Sequence, residues 1–393
     1  MENSLPPSSQ SDLTLFSGEW RVLLECSSPA FDSHQVAGLA RAVDWSRLLF
    51  LAEEQGVLGH LAKCLPELEE NVVPAEIRQT LHERHRAQVF STLRMTAELF
   101  RLLDLFAAKD IPTLVVKGPV LAMQAYGDPA MRSYGDLDLL VRQCDIRRAT
   151  ESLQAAGYQA TVSLRAIDAG RIPGQYLFSM PEPKLLVELH NDYTLRYFPR
   201  RLPLEKLLAR RILVRLDGHE APGLAVEDEL VYICVHGATH LWERLGWIAD
   251  VAALVTRQSG IHWQGVSETA KELGAERMLD IGLWLASDLL RARLPDPVLS
   301  AMHRDRGAST LALRARAWLA ATGGASPTLF DRAAFRLRMR GSWFFAPAYL
   351  LRLTLSPTED DWQADVGISH NSLVDVLRRP LRLARKYGRS NKS

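Results

Sequence analysis

VVKGPVLAMQAYGDPAMRSYGDLDLLV, residues 115–141, decides the fold. It opens in a β-rich run, IPTLVVK (111–117), which follows a turn-like Lys109-Asp110 and predicts a strand over Leu114–Lys117. Gly118 then breaks the strand, and Pro119 suits the first position of a short helix through VLAMQAY. After Gly127-Asp128-Pro129 the chain re-enters a run of strand length, DLDLLV (136–141), and a third follows at KLLVELH (184–190). Strand, helix and strand within about thirty residues make an α/β unit.

The chemistry sits on that unit. Asp136 and Asp138 are two residues apart, so the strand period puts both carboxylates on one face and Leu137, Leu139 and Val141 on the other. Adjacent carboxylates repel, and burying them is costly unless a cation compensates; Mg²⁺ is the usual hard, oxygen-seeking cation. An exposed strand edge carries such a pair without metal, so its surroundings decide. Upstream, Gly118 at a strand-to-helix turn lets phosphate approach the backbone at the positive end of a helix dipole, and Lys117 adds charge. Arg132 has the fork that grips phosphate oxygens. Glu188 is the candidate third acid of a two-metal site, with His190 on the same strand face.

Outward from this unit the texture is helical. Residues 1–14, rich in Ser and Pro, read as a disordered lead-in. In 15–108, Leu81, His85, Val89, Leu93, Met95, Leu99, Leu102 and Phe106 recur at helix period, with Pro74 near the start of their helix. From about Leu202 the pattern is again mostly helical, with breaks at 217–223, 323–327 and 356–358. In DELVYICVHGATHLWERLGWIADVAALV, Cys234, Ala238, Leu241, Leu245, Ile248, Ala252 and Val255 form one apolar helical stripe. His236, His240 and Trp247 fall on another face, with Gly237 permitting a close neighbour. The histidines read as a packed pair, an accessory active-site pair, or the ligands of a metal-dependent hydrolase; the stretch HGATH lacks the Glu of a zincin motif. Residues 375–393 carry seven basic residues against Asp375, a tail able to touch an anionic surface.

Composition excludes extremes. The 393 residues carry 47 Lys+Arg and 46 Asp+Glu, a net charge of +1, which gives no strong nucleic-acid signal. At this length two or three cores are expected. Cys26, Cys64, Cys144 and Cys234 have no CxxC pairing and read as free thiols; with no secretory leader and no apolar run of membrane-spanning length, the expected location is cytoplasmic.

The set Lys117-Gly118, Tyr126-Gly127-Asp128, Arg132, Asp136-Leu137-Asp138-Leu139-Leu140-Val141 and Glu188-Leu189-His190 resembles the uncharacterised nucleotidyltransferase family of the DNA polymerase β superfold. The likeness extends to Glu227-Asp228-Glu229-Leu230, His236, His240, Trp242, Leu245 and Asp250. It implies an α+β fold: a small mixed-sheet palm (109–200) flanked by helical regions at 15–108 and 201–393. It also implies that Asp136, Asp138 and Glu188 hold two Mg²⁺ ions and a nucleoside triphosphate, with Lys117, Gly118 and Arg132 on the nucleotide and His190, His236 and His240 as accessories. A hydroxyl on a small molecule or protein would then attack the α-phosphorus, with pyrophosphate leaving. Two departures are plain: Pro119 stands where the superfold usually has Ser or Gly, and the spacing from Gly118 to Asp136 is longer than in its common pattern. The alternative is an inactive nucleotide- or protein-binding module on the same fold.

Overall fold

A computed structural model describes residues 15–69, 71–161, 175–181, 184–191, 204–321 and 327–341. The lead-in at 1–14, the basic tail and the break at 356–358 lie outside these residues.

Four helices open the described chain: α1 (Gly18–Ser27), α2 (Ser33–Ala40), α3 (Trp45–Glu54) and α4 (Leu58–Cys64). Ser17, Asp32 and Asp44 cap the first three by accepting from first-turn N–H groups. The long α5 (Ala75–Ala107) starts directly after Pro74. Its expected stripe holds at Leu81, Met95, Leu99, Leu102 and Phe106, all buried, but Leu93 is 47% exposed beside Phe90 at 64%. Thr92 and Thr96 turn inward there instead, since a helix of this length meets different neighbours along its course and periodicity alone does not say which face they take.

Among the described residues, seven strands form one mixed sheet in the order β3-β4-β5-β2-β1-β7-β6. They are β1 (Thr113–Val116), β2 (Asp136–Val141), β3 (Gln159–Ala160), β4 (Gln175–Met180), β5 (Leu185–His190), β6 (Ile212–Leu216) and β7 (His219–Gly223). The β2–β5 and β1–β7 pairs are parallel and the rest antiparallel. Helix α6 (Gly118–Tyr126) links β1 to β2, and α7 (Ile146–Ala155) follows β2. The sequence stretch at 217–223, read as a break in a helical region, belongs instead to a hairpin. Asp217 and Gly218 take successive positive φ of 47° and 84°, the turn that an Asp-Gly pair favours between strands.

The remaining helices are α8 (Leu204–Ala209), α9 (Val226–Thr239), α10 (Leu245–Arg257), α11 (Trp263–Leu273), α12 (Glu276–Leu290), α13 (Asp296–Arg304), α14 (Arg306–Ala320) and α15 (Leu329–Arg338). The single histidine helix expected from the sequence is two helices, α9 and α10. Trp242 turns back at φ 56°, donates its N–H to Gly237 O at 2.8 Å, and buries its ring fully. Gly237 makes the room, for a Cβ there would stand 2.4 Å from that ring.

Among the described residues, two cores lie on opposite faces of the sheet. On one, Leu114, Val116 and Leu140 join α1, α3, α4 and α9–α15. On the other, Val115, Leu137, Leu139, Val141, Val187 and Leu189 pack against α5 and α7. The flanking helical regions thus share a core with one side of the sheet. Cys26 and Cys64 are not free thiols but a disulfide between α1 and α4, with Cα atoms 5.6 Å apart, while Cys144 and Cys234 are free. Their 38-residue separation hides the pairing; packing of α1 on α4 creates it. Among the described residues, no helix is long and apolar enough to cross a membrane.

Candidate active site

Strand alternation brings the acids together. In the parallel β2–β5 ladder Asp138 pairs directly with Glu188 and Asp136 with Leu186, so Asp136, Asp138, Glu188 and His190 share one face. The same alternation sends Leu137, Leu139, Val187 and Leu189 into the opposite core. That shared face is the side of Leu140 and of helices α9 and α10. Asp136 and Glu188 are half-buried, whereas Asp138, Lys117 and His190 are buried.

Asp138 is the hub. Lys117 Nζ donates to its Oδ2 at 3.0 Å, and His190 Nε2 to its Oδ1 at 2.9 Å. His190 Nε2 also lies 3.5 Å from Glu188 Oε2, which accepts from Gln175 Nε2 at 2.5 Å. Burial opposes ionisation of Asp138, but Lys117 and His190 outweigh it and hold the carboxyl well below its usual range. Burial likewise works against the charge on His190, yet Asp138 and Glu188 raise it to about 9, so the ring is an imidazolium at neutral pH. Asp136 is pushed up, first by burial and then by Asp138. Lys117 stays above its ordinary value because Asp138 and Asp136 overcome its own burial.

The turn into α6 is strained. Lys117 has φ 57° and Gly118 φ 49°, and Gly118 has open space where a Cβ would stand. Positive φ at a non-glycine costs on the order of 1–3 kcal/mol, which the surroundings must hold. Part of that hold is Glu229 of α9, whose Oε1 accepts the Lys117 N–H at 3.4 Å. Burial raises Glu229 to about 8, so it is neutral at pH 7. Arg132 does not point free into the cleft: its Nε donates to Asp250 Oδ2 at 2.7 Å, and Tyr126 OH donates to Asp250 Oδ1 at 3.0 Å. Glu229 and Asp250 belong to the likeness noted in the sequence, which gives neither of them a chemical role. Their signal is an acid inside an apolar helical stripe, which costs free energy unless something on the facing element pairs with it.

The rings of His236 and His240 meet at a tilt of 49° with centroids 4.7 Å apart, and Trp247 lies 5.2 and 5.3 Å from them. Burial lowers His236, with Lys117 second among its causes, and lowers His240 to about 4. Among the described residues the group with metal-ligand spacing is instead Asp138, Glu188 and His190, whose ligand atoms all lie within 4.8 Å of one another. The two carboxylates of that group suit a hard divalent cation, and the ammonium of Lys117 and the imidazolium of His190 now supply positive charge beside Asp138.

The family model described as uncharacterised nucleotidyltransferase matches residues 41–291, more than half of the chain. The chain belongs to that family. Two solved structures are similar to it. One is a lincosamide antibiotic adenylyltransferase, LnuA, with lincomycin bound: 15% identity, 34% of this chain, 83% of that one and a TM-score of 0.27. The other is an antigenic nucleotidyltransferase-like protein from Paracoccidioides brasiliensis: 14% identity, 56% of this chain, 96% of that one and a TM-score of 0.27. No curated protein matches the sequence. Family membership and the mixed sheet agree with the α+β expectation.

Proposed function

We propose that this protein transfers a nucleoside monophosphate from a nucleoside triphosphate to a hydroxyl of a small-molecule or protein acceptor, releasing pyrophosphate. The observation that carries the reading is the β2–β5 register, which sets Asp138 beside Glu188 with Asp136 on the same face. These three carboxylates hold the divalent cations; Asp138 and Glu188 already lie within ligand-sharing distance of each other, and His190 keeps its proton and stays a hydrogen-bond donor to Asp138. Bound there, Mg²⁺ supplies charge neutralisation for the triphosphate and the attacking oxygen.

The chain's own groups do the positioning. The backbone at Lys117-Gly118 opens the N-terminal end of α6 to phosphate, and the helix dipole favours negative charge there. Lys117 provides an ammonium that moves from Asp138 to a phosphate oxygen. His190 orients Asp138 and holds its proton on Nε2. Asp250 fixes Arg132 by its Nε, leaving the guanidinium's other nitrogens as nucleotide donors. His236, His240 and Trp247 form an aromatic wall on α9 and α10 beside this face.

Label transfer tests the reading. Purified protein with Mg²⁺ and each nucleoside triphosphate labelled at the α-phosphate, incubated with host extract, is expected to label a protein or small molecule. Asp138→Asn is expected to reduce this by more than about 100-fold, beyond what changes around a metal's ligands cost. Undiminished transfer by that variant refutes the mechanism. Pro119, which has no N–H to offer a phosphate, favours a second reading as a binding module. Mg²⁺-dependent nucleotide binding without any transfer would select it.

A further inference from the structure

A second concave site lies at the far end of α6 from the Lys117-Gly118 turn, about 12 Å along the helix. It is a cavity of about 580 Å³ between α1, α4, the C-terminal end of α6 and the last turns of α10. That size suits a small-molecule ligand, for which pockets of roughly 300–1,000 Å³ are usual.

Its lining has the mix of groups that ligand sites show. Phe31, Ala125, Met131 and Ala253 give it apolar walls, and the ring of Tyr126 adds an aromatic one. Ser27 and His60 are buried at 5% exposure each. Ser27 Oγ, His60 Nδ1 and His60 Nε2 all lack a hydrogen-bond partner among the described residues. Three unsatisfied polar atoms around one cavity are unusual, because a buried polar group without a partner destabilises the fold. The Cys26–Cys64 disulfide fixes them relative to one another: Ser27 follows Cys26, and His60 stands one helical turn before Cys64. Burial, reinforced by Lys63, lowers His60 to about 4, so its neutral ring offers one donor and one acceptor. The charged lining residues are Lys63 and Arg257 against Glu67. Neither cation forms an ion pair among the described residues.

We propose that this cavity binds a small organic oxyanion, a carboxylate or phosphate ester with an apolar body. Lys63 and Arg257 take the anionic head, the apolar walls take the body, and Ser27 and His60 take its hydrogen-bonding groups. Tyr126 belongs to the wall of this cavity and also donates to Asp250, which holds Arg132. The site is nonetheless separate from the carboxylate cluster and stands whether or not nucleotidyl transfer is found.

Isothermal titration calorimetry of the full chain with 2-naphthoate, 2-naphthyl phosphate and neutral 2-naphthol tests it. One-site saturable binding of at least one anion is expected, with the tighter of the two naming the head group, and naphthol at least about tenfold weaker. Lys63 and Arg257 are exposed, so Lys63→Gln and Arg257→Gln keep the fold, checked by circular dichroism, and each is expected to weaken anion binding about tenfold. Ser27→Ala weakens it less, by roughly fivefold. No saturable binding of either anion, naphthol binding as tightly as the anions, or unchanged affinity in the Lys63→Gln/Arg257→Gln double variant would each overturn the assignment.

Discussion

Replacing Asp250 by Ala strikes the ion pair that joins the sheet side of the site to α10. The side chains of Arg132 and Asp250 are 11% and 4% exposed, and their contact is 2.7 Å. Removing the acid strands a buried guanidinium, which costs about 3–5 kcal/mol. It also removes the acceptor of the Tyr126 hydroxyl, adding about 1 kcal/mol. Asp250→Ala should therefore lose about 4–6 kcal/mol of stability, a large part of the 5–15 kcal/mol that domains possess. Arg132→Met should cost somewhat less, because Asp250 keeps the Tyr126 hydroxyl as a donor. In the double variant no charge is stranded, so the losses should fall short of additive by about 2 kcal/mol or more. Urea denaturation followed in parallel by tryptophan fluorescence and circular dichroism reads all three variants. A loss below about 1 kcal/mol for Asp250→Ala, or single losses that add within about 0.5 kcal/mol, would refute the coupling.

Two buried groups set opposite pH slopes. His60 falls from 6.5 to about 4 on folding, so the unfolded chain binds more protons between those values; stability is full above pH 6.5 and drops by about 3 kcal/mol as pH falls to 4, a slope that His60→Leu should flatten in acid titrations of unfolding. Glu229 rises from 4.5 to about 8, so the folded chain binds more protons there and stability falls as pH rises through that window. Glu229→Gln keeps the acceptor for the Lys117 N–H and should gain up to about 3 kcal/mol at pH 7; destabilisation instead would mean that the carboxylate is charged and compensated. Reducing the Cys26–Cys64 disulfide, which closes a separation of 38 residues, should cost up to about 4 kcal/mol, and alkylation of both cysteines in native protein without reductant would disprove the bond.

Residues 113–141 made the centre of the fold legible because their signals are local. The strand period, a glycine at a strand end and a proline at helix entry need no knowledge of the rest of the chain. The same period placed Asp136 and Asp138 on one face, and the structure keeps their apolar neighbours in the opposite core. The Asp217-Gly218 hairpin was also written locally, yet its flanks lie among helices and its strands carry weak alternation, so it read as a break. Trp242 was harder: the stripe from Cys234 to Val255 is consistent with one helix, and only the space beside Gly237 and Gly282 for the indole ring turns it into two.

What the sequence determined by itself was the α/β unit, the helical flanks and the residue types able to bind metal and phosphate, because backbone preference and side-chain period act over a few residues. The tertiary structure decided the partnerships: Asp138 with Lys117 and His190, Arg132 with Asp250, Glu229 with the Lys117 backbone, Cys26 with Cys64. Those pairs span 21 to 118 residues of chain, and a charge or thiol is placed by which elements pack together, a property of the two cores and the sheet between them rather than of any one segment.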